Sequence, residues 1–151
     1  MTKEELKEAI SVLVPSVTYD ETGEFLNVIV DASDFRHFMK QMISDKAYDF
    51  DYMFCLTCID WKTHLMMVYH LLSKNHKHTL VVKVKINDVN APAIETVCDL
   101  WKTAIFHERE VYDLFGVNFH NHPDMRRLLL DENWEGYPLR KNYVDENMIE
   151  I

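Results

Sequence analysis

Glycine, cysteine and long apolar runs are all scarce in this chain. Its 151 residues include only three glycines, whereas a phosphate-cradling loop or a dinucleotide-binding fingerprint needs a glycine-rich segment. The three cysteines, Cys55, Cys58 and Cys98, are an odd number and give no disulfide framework, which is typical of a reducing compartment. No apolar run approaches the ~18 residues of a membrane span. The composition therefore argues against a nucleotide-binding domain, a disulfide scaffold and a membrane helix.

An excess of positive charge is also lacking. The chain has 25 acidic residues against 16 basic ones, and its formal net charge is −9. General nucleic-acid binding and adhesion to anionic lipid both need a basic face, so neither is expected. Residues 1–5 have neither the apolar core of a signal peptide nor the arginine-rich composition of a transit peptide. We therefore expect a cytosolic protein.

The apolar residues that are present predict an α+β fold, with a mostly antiparallel sheet packed by helices. Thr2 and Glu5 are spaced as a capping box at the start of the first helix. The first two strands are expected to form a hairpin, and the last two to pair as neighbours. The predicted order is helix 3–13, strands 16–20 and 25–30, helix 33–45, strands 50–58, 65–72 and 79–86, a helix opened by Asn90–Pro92, and helix 104–115.

Three of these elements are predicted from apolar spacing. Helix 33–45 is expected to carry an apolar stripe of Phe35, Phe38, Met39, Met42 and Ile43. In strand 50–58 the large side chains recur at every second position and are expected to share one face: Phe50, Tyr52, Phe54, Leu56 and Cys58. After Pro92 the spacing is that of a helix, and its predicted stripe is Ile94, Val97, Cys98 and Trp101.

The segment 108–116 places four charged residues among large apolar side chains in one short helix, namely Glu108, Arg109, Glu110 and Asp113. A buried charge without a partner is costly, so these charges need partners. Glu108 and Glu110 point about 200° apart around the helix axis and cannot share one cation. Two separate ion pairs are therefore predicted, with Arg126 and Arg127. Gly116 is expected to end the helix in the left-handed conformation.

Residues 118–151 are predicted to be an extended, irregular C-terminal arm that follows an α+β domain of residues 1–117. Irregular segments of this length are uncommon in compact domains unless they are functional or disordered. Disorder is not expected, because the segment is rich in leucine and in aromatic residues such as Trp134, Tyr137 and Tyr143. We predict that a partner protein buries the arm, because Trp, Tyr and Arg are common at interface hot spots. The alternative is an arm folded back on its own domain.

Residues 107–143 carry a long string of mixed residue types in a distinctive order: Glu108, Arg109, Glu110, Asp113, Gly116, His122, Pro123, Asp124, Arg126, Arg127, Leu128, Trp134, Gly136, Pro138, Leu139, Arg140, Lys141 and Tyr143. This string closely resembles the signature of the 30-kDa subunit, or C subunit, of proton-translocating NADH:quinone oxidoreductase (respiratory complex I). The order of the preceding elements also resembles that family, so the resemblance extends over essentially the whole chain.

The resemblance implies a non-catalytic peripheral-arm subunit, in which these residues bind partners or stabilise the motif. Its partners would be the 49-kDa-type neighbour, or D subunit, and the two iron–sulfur neighbours, the B and I subunits. No cofactor is implied in this chain, whereas FMN, iron–sulfur clusters and quinone are implied in neighbouring subunits. The chain would be peripheral, on the cytoplasmic side of a bacterial inner membrane, and would meet the membrane only through the complex. It would support electron transfer from NADH to quinone coupled to proton translocation.

Two alternatives remain open at the level of sequence. Related chains serve in membrane-bound hydrogenases, and nothing inside this sequence separates such a complex from a quinone reductase. The second alternative is a small metalloenzyme that uses His107, His120 and His122 as ligands. A metal is not expected at Cys55 and Cys58, because there is no second ligand pair and the two side chains of a strand at this spacing point to opposite faces.

Overall fold

The computed structural model describes residues 1–149, so residues 150 and 151 of the predicted C-terminal arm lie outside the described residues. The elements in chain order are α1 (Lys3–Leu13), β1 (Thr18–Asp20), β2 (Leu26–Val30), α2 (Ala32–Ser44), β3 (Tyr52–Asp60), β4 (Leu65–Ser73), β5 (His78–Ile86), β6 (Ala93–Glu95), α3 (Ala104–Phe115) and β7 (Asn118–His120).

The first two helices form for the local reasons that the sequence indicates. The Thr2 hydroxyl accepts a hydrogen bond from the Glu5 N–H, and the Glu5 carboxylate accepts one from the Thr2 N–H, which completes the predicted capping box. Helix α2 follows Asp31, whose side chain makes no capping hydrogen bond. Its stability comes instead from the predicted apolar stripe, whose buried members are Phe35, Phe38, Met39 and Met42.

The main sheet has five strands in the order β1-β2-β5-β4-β3. Adjacent strands are antiparallel except β2 and β5, which run parallel. The predicted hairpin of β1 and β2 and the predicted pairing of β4 with β5 are both confirmed. The α+β class with a mostly antiparallel sheet is therefore correct, and the one parallel pair makes the sheet mixed.

One face of this sheet holds the core. Leu56, Tyr69, Val82 and Val28 stand opposite one another across four strands, and all are buried. Apolar side chains of α1, α2 and α3 join the same buried cluster. Because burying one large apolar side chain stabilises a fold by roughly 1.5–3 kcal/mol, this layer is the main source of stability.

The predicted single face of strand 50–58 is wrong in its first half. The pairing register of β3 with β4 shifts between Met53 and Cys55, as it does at a β-bulge. The shift leaves Tyr52 and Phe54 41% and 38% exposed, while Met53 is fully buried. Period-two spacing cannot reveal such a shift, because the extra residue reverses every side chain that precedes it.

The predicted helix after Pro92 is also wrong. Residues 93–95 form strand β6, which pairs in parallel with β7, so that Ile94 stands opposite Phe119. The Thr96 N–H continues this contact by donating to the His120 carbonyl at 3.0 Å. Ile94, Val97 and Trp101 are buried as the apolar spacing suggests, but a ladder to a distant strand replaces the local helix.

Beyond β7, residues 121–149 contain turns and bends but no helix or strand. This agrees with the predicted irregular arm except at its start, because residues 118–120 form β7 and pair with β6. Over the part of the chain that the structure describes, no helix combines the length and apolar character needed to cross a membrane.

Candidate functional site

Helix α3 turns three of its four charged side chains inward. Glu108 and Asp113 have no solvent exposure and Arg109 is 6% exposed, whereas Glu110 lies on the exposed side. Buried charges are stable only when they are hydrogen-bonded and compensated. The partners of these three side chains therefore define the site.

Asp113 holds the first part of the C-terminal arm. Its Oδ2 atom accepts three successive backbone hydrogen bonds, from the N–H groups of Leu128, Leu129 and Leu130, at 3.2, 2.7 and 3.0 Å. Its Oδ1 atom accepts from Arg127 Nη1 at 3.0 Å. Burial acts to raise the pKa of Asp113, but these hydrogen bonds outweigh it and the pKa is lowered below the usual value. Asp113 is thus an ionised carboxylate that fixes the arm to the end of α3.

Two arginines satisfy the carbonyl groups of the same irregular backbone. Arg127 Nη2 donates to the carbonyl oxygens of Trp134 and Gly136 at 2.8 and 2.9 Å. Arg109 donates through Nε to the carbonyl of Arg126 and through Nη2 to that of Arg127. A segment without a helix or strand needs such donors, because an unpaired buried carbonyl is costly. The guanidinium groups therefore take the place of a backbone ladder.

A second carboxylate, that of Asp60 at the end of β3, anchors the arm near Lys141. Its Oδ2 atom accepts from the Lys141 N–H at 2.9 Å and lies 3.4 Å from Arg140 Nε. Its Oδ1 atom accepts from the Lys62 N–H at 2.7 Å. Burial acts to raise the pKa of Asp60, but the two backbone donors and the guanidinium lower it overall. Arg140 also donates to the Phe115 carbonyl, which ties β3, α3 and the arm together.

Two glycines allow close approach between α3 and the arm. Gly116 ends α3 with φ 78°, as predicted, and a Cβ atom there would lie 2.7 Å from the Tyr137 ring. Gly136 has φ 84°, and a Cβ atom there would lie 3.0 Å from Tyr143. Tyr137 packs edge-on against Tyr112 with ring centroids 6.3 Å apart. Both positions need glycine for the backbone conformation, and Gly116 needs it for space as well.

Between residues 122 and 143 the arm therefore rests on its own domain, as in the alternative drawn from the sequence. Its outer surface nevertheless carries large apolar side chains. Leu129, Leu139 and Trp134 are 66%, 53% and 39% exposed, and Phe106 on the neighbouring face of α3 is 60% exposed. Several large apolar groups exposed on one segment and the adjacent helix are typical of an interaction surface.

Glu108 is directed into the protein and contacts the segment after β6. Its carboxylate accepts hydrogen bonds from the Thr96 hydroxyl and from the Val97 N–H. Burial raises the pKa of the Glu108 carboxyl to about 7, against the effect of these two hydrogen bonds, which favour the ionised form. A buried carboxyl that titrates near neutral pH makes this junction sensitive to pH.

His122 lies beside Glu108 in a position that could suggest a metal site. Ligand atoms of Cys98, Glu108 and His122 all lie within 4.8 Å of one another. However, the His122 Nδ1 atom accepts from the Asp124 N–H and its Nε2 atom lies 3.0 Å from the Ile105 carbonyl. This pattern puts the imidazole proton on Nε2, the atom that would have to bind a metal. His122 therefore fits a hydrogen-bonding role in the loop, and the histidine ligand set of the metalloenzyme alternative is not brought together.

The predicted ion pairs of Glu108 and Glu110 with arginines are wrong. Glu108 bonds to the segment after β6, and no cation within residues 1–149 lies at ion-pair distance from Glu110. Arg127 instead reaches Asp113, because the arm crosses the C-terminal end of α3. Arg126 is 61% exposed and pairs with an aspartate of its own loop.

Asp60 and Thr96 belong to the site but were not predicted from the sequence. Lys141 lies 81 residues from Asp60, and Thr96 lies 12 residues from Glu108 inside a segment predicted to be helical. A polar residue at the end of an otherwise apolar strand is the one available signal for Asp60. Of the remaining signature residues, Pro123 lies in the exposed loop beside His122, and Pro138 is half-buried beside Tyr137.

The model of a family described as respiratory-chain NADH dehydrogenase, 30 Kd subunit, matches residues 28–147. The chain belongs to this family. The matched residues include α3, both anchoring aspartates and the anchored part of the arm. The signature that the sequence resembles is therefore confirmed at the level of the family, and the chain is of a type found in the enzyme NADH-quinone oxidoreductase.

Several named relatives, all subunits of NADH-quinone oxidoreductase, support the assignment. The C subunit of Chloroherpeton thalassium is 46% identical over 104 residues, which cover 68% of this chain and 43% of that protein. The C/D subunit of Phocaeicola vulgatus is 46% identical over 99 residues, covering 65% of this chain and 19% of that protein. The C subunit of Burkholderia mallei is 33% identical over 141 residues, covering 87% and 70%. The matched part of this chain thus spans less than half of each of the first two relatives.

A solved structure shares the fold. A chain in the structure of the membrane-bound sulfane sulfur reductase (MBS), an archaeal respiratory membrane complex, aligns with a TM-score of 0.79 and 29% sequence identity. The alignment covers 93% of this chain and 85% of that chain.

Proposed function

We propose that this chain is a non-catalytic peripheral-arm subunit of a respiratory complex of the NADH:quinone oxidoreductase type. In this role it supports electron transfer from NADH to quinone coupled to proton translocation. The observation that carries the proposal is the family match over residues 28–147, which includes both anchored ends of the arm. The FMN, the iron–sulfur clusters and the quinone site belong to neighbouring subunits in this proposal.

The geometry supports a role in positioning those neighbours. The arm is held by Asp113 and Asp60 along one side, so its free side presents apolar groups at fixed positions. A surface that is ordered before binding loses less conformational entropy when it docks. The chain would then contribute to electron transfer by holding the subunits that carry redox centres at fixed separations.

The proposed partners are the 49-kDa-type D subunit and the iron–sulfur B and I subunits. The Phocaeicola vulgatus relative, which is a C/D subunit, supports the 49-kDa-type neighbour. For the two iron–sulfur neighbours, the proposal rests on the resemblance to the family signature. In this assembly the chain lies on the cytoplasmic side of a bacterial inner membrane and meets the membrane only through the complex.

The proposal is tested by tagging the chain in cells and purifying the detergent-solubilised membrane fraction. We expect the other subunits to copurify, and we expect a strain without the chain to lose membrane NADH:quinone reductase activity. Complementation by Arg127→Ala should fail, because the change leaves Asp113 uncompensated and frees the arm. A tagged chain that stays in the soluble fraction alone, in cells whose deletion strain keeps full activity, would contradict the proposal.

The likeness to a chain of the sulfane sulfur reductase favours a second candidate, an equivalent subunit in another respiratory membrane complex. A membrane-bound hydrogenase-type complex belongs to the same class of alternatives. The same purification separates them, because the copurified subunits and the electron donor that the complex oxidises identify its type.

A further inference from the structure

A small groove lies on the outer side of α3, next to the first part of the arm. It has a volume of about 280 Å³ and is lined by Thr103, Phe106, His107, Glu110 and Leu128. One wall is the regular backbone of α3, and the other is the segment that Asp113 holds through three N–H groups. Both walls are therefore fixed by the chain itself, and the groove is formed before any partner arrives.

The groove has the composition of the centre of an interface. Phe106 is 60% exposed and Leu129, next to the lining residue Leu128, is 66% exposed. Beneath Phe106 lies the buried Arg109 guanidinium, 5.8 Å from the centre of the ring. Large apolar side chains that border a preformed pocket typically receive an apolar anchor from the partner.

Glu110 stands at the edge of this apolar groove, and its carboxylate has no cation at ion-pair distance among the residues from 1 to 149. The sequence contains five arginines, and each has an acidic partner elsewhere: Arg36 with Asp99, Arg109 and Arg126 with Asp124, Arg127 with Asp113, and Arg140 with Asp60. Within the described residues, Glu110 is therefore an exposed carboxylate of α3 with neither a hydrogen bond nor a cation, and it lies beside the place where an apolar side chain fits.

We propose that this groove receives an apolar side chain from a neighbouring subunit, and that a lysine or arginine beside that side chain pairs with Glu110. This inference rests on the proposed function, since it assumes a complex with other subunits. A second copy of this chain is a poor occupant. Each copy has a net charge of −9, so two copies repel each other.

The first test identifies the occupant directly. A photo-crosslinking phenylalanine analogue replaces Phe106 in the tagged chain, the purified complex is irradiated, and the crosslinked peptide is sequenced by mass spectrometry. We expect a peptide from another subunit, with a lysine or arginine within about one helical turn of an apolar residue at the crosslink. A peptide without a basic residue, or one from a second copy of this chain, would overturn the proposal.

The second test measures the ion pair by charge reversal. Glu110→Lys should lower the yield of assembled complex at least tenfold, and reversing the identified cation to glutamate should restore it. Glu8→Lys is the matched control, because it makes the same charge change at an exposed helical position of α1. The isolated Glu110→Lys chain should keep the wild-type melting temperature, since the Glu110 side chain makes no hydrogen bond or ion pair within the described residues.

The outcomes separate the two proposals. If the wild-type chain joins no membrane complex, the proposed function fails. If the wild-type chain and Glu110→Lys assemble equally well, the function stands and the groove inference is overturned.

Discussion

Replacing Asp113 with asparagine removes one negative charge and one acceptor oxygen from a fully buried position with little change in size. Asparagine keeps one acceptor oxygen, but it cannot compensate the Arg127 guanidinium that lies 3.0 Å from Oδ1. The three backbone N–H groups that share Oδ2 in the wild-type chain also lose a charged acceptor. Breaking one side of a buried ion pair costs about 3–5 kcal/mol. Because a domain is stable by only about 5–15 kcal/mol, the change should remove roughly a fifth or more of the free energy of unfolding.

Two measurements on the purified full-length chain test this expectation. Denaturant titration gives the change in the free energy of unfolding, and hydrogen exchange reports the protection of the Leu128, Leu129 and Leu130 amides. Asp131→Asn is the matched control, because Asp131 lies on the same arm and is exposed, and it should cost less than about 1 kcal/mol. If Asp113→Asn proved as stable as the control and kept the three amides protected, the anchoring role of Asp113 would be refuted.

Three further changes follow from the same geometry. Burial raises the pKa of Glu108 from 4.5 in the unfolded chain to about 7 in the folded chain, so the folded chain holds this proton more tightly. The free energy of unfolding should therefore fall by about 3 kcal/mol as the pH rises from 4.5 to 7. Glu108→Gln should flatten this slope in denaturant titrations at several pH values. Gly116→Ala should lower the melting temperature through both its φ of 78° and the contact with Tyr137, and it should cost less in a Tyr137→Ala background than in the wild-type chain, because only the φ penalty remains there. Asp60→Asn should weaken the second anchor, measured as faster proteolysis near Lys141 with β3 still protected, and equal cleavage of mutant and wild type would contradict it.

Local signals in the sequence predicted the elements whose stability is local. The capping box at Thr2 and the apolar stripe of α2 lie within a few turns of helix, and both are confirmed. The segment after Pro92 has equally good helical spacing, but its backbone pairs with β7 more than 20 residues later. A contact of that kind leaves no trace in the spacing of nearby residues, so the local pattern gave the wrong element.

The candidate site likewise combines features that local sequence predicts with features that depend on distant contacts. The sequence predicted that the charges of the apolar helix need partners, and Arg109 and Asp113 have theirs in the arm. Which arginine meets which carboxylate depends on where the arm crosses α3. That position is set by tertiary packing of Tyr137 against Gly116 and by the distant anchor at Asp60, and neither is visible in the spacing of Glu108 and Glu110.

The two anchoring aspartates also determine the order of events when the chain folds. Each becomes a binding site for the arm only after its own element has formed, and the loops they close are 14 to 17 residues long at Asp113 and 81 residues long at Asp60. Longer loops cost more entropy to close, and residues 121–149 form no helix or strand that would offset that cost. The arm should therefore be the last segment to become ordered and the first to open. A newly made polypeptide would accordingly pass through an intermediate in which its α+β domain is folded and its arm is not yet docked on that domain.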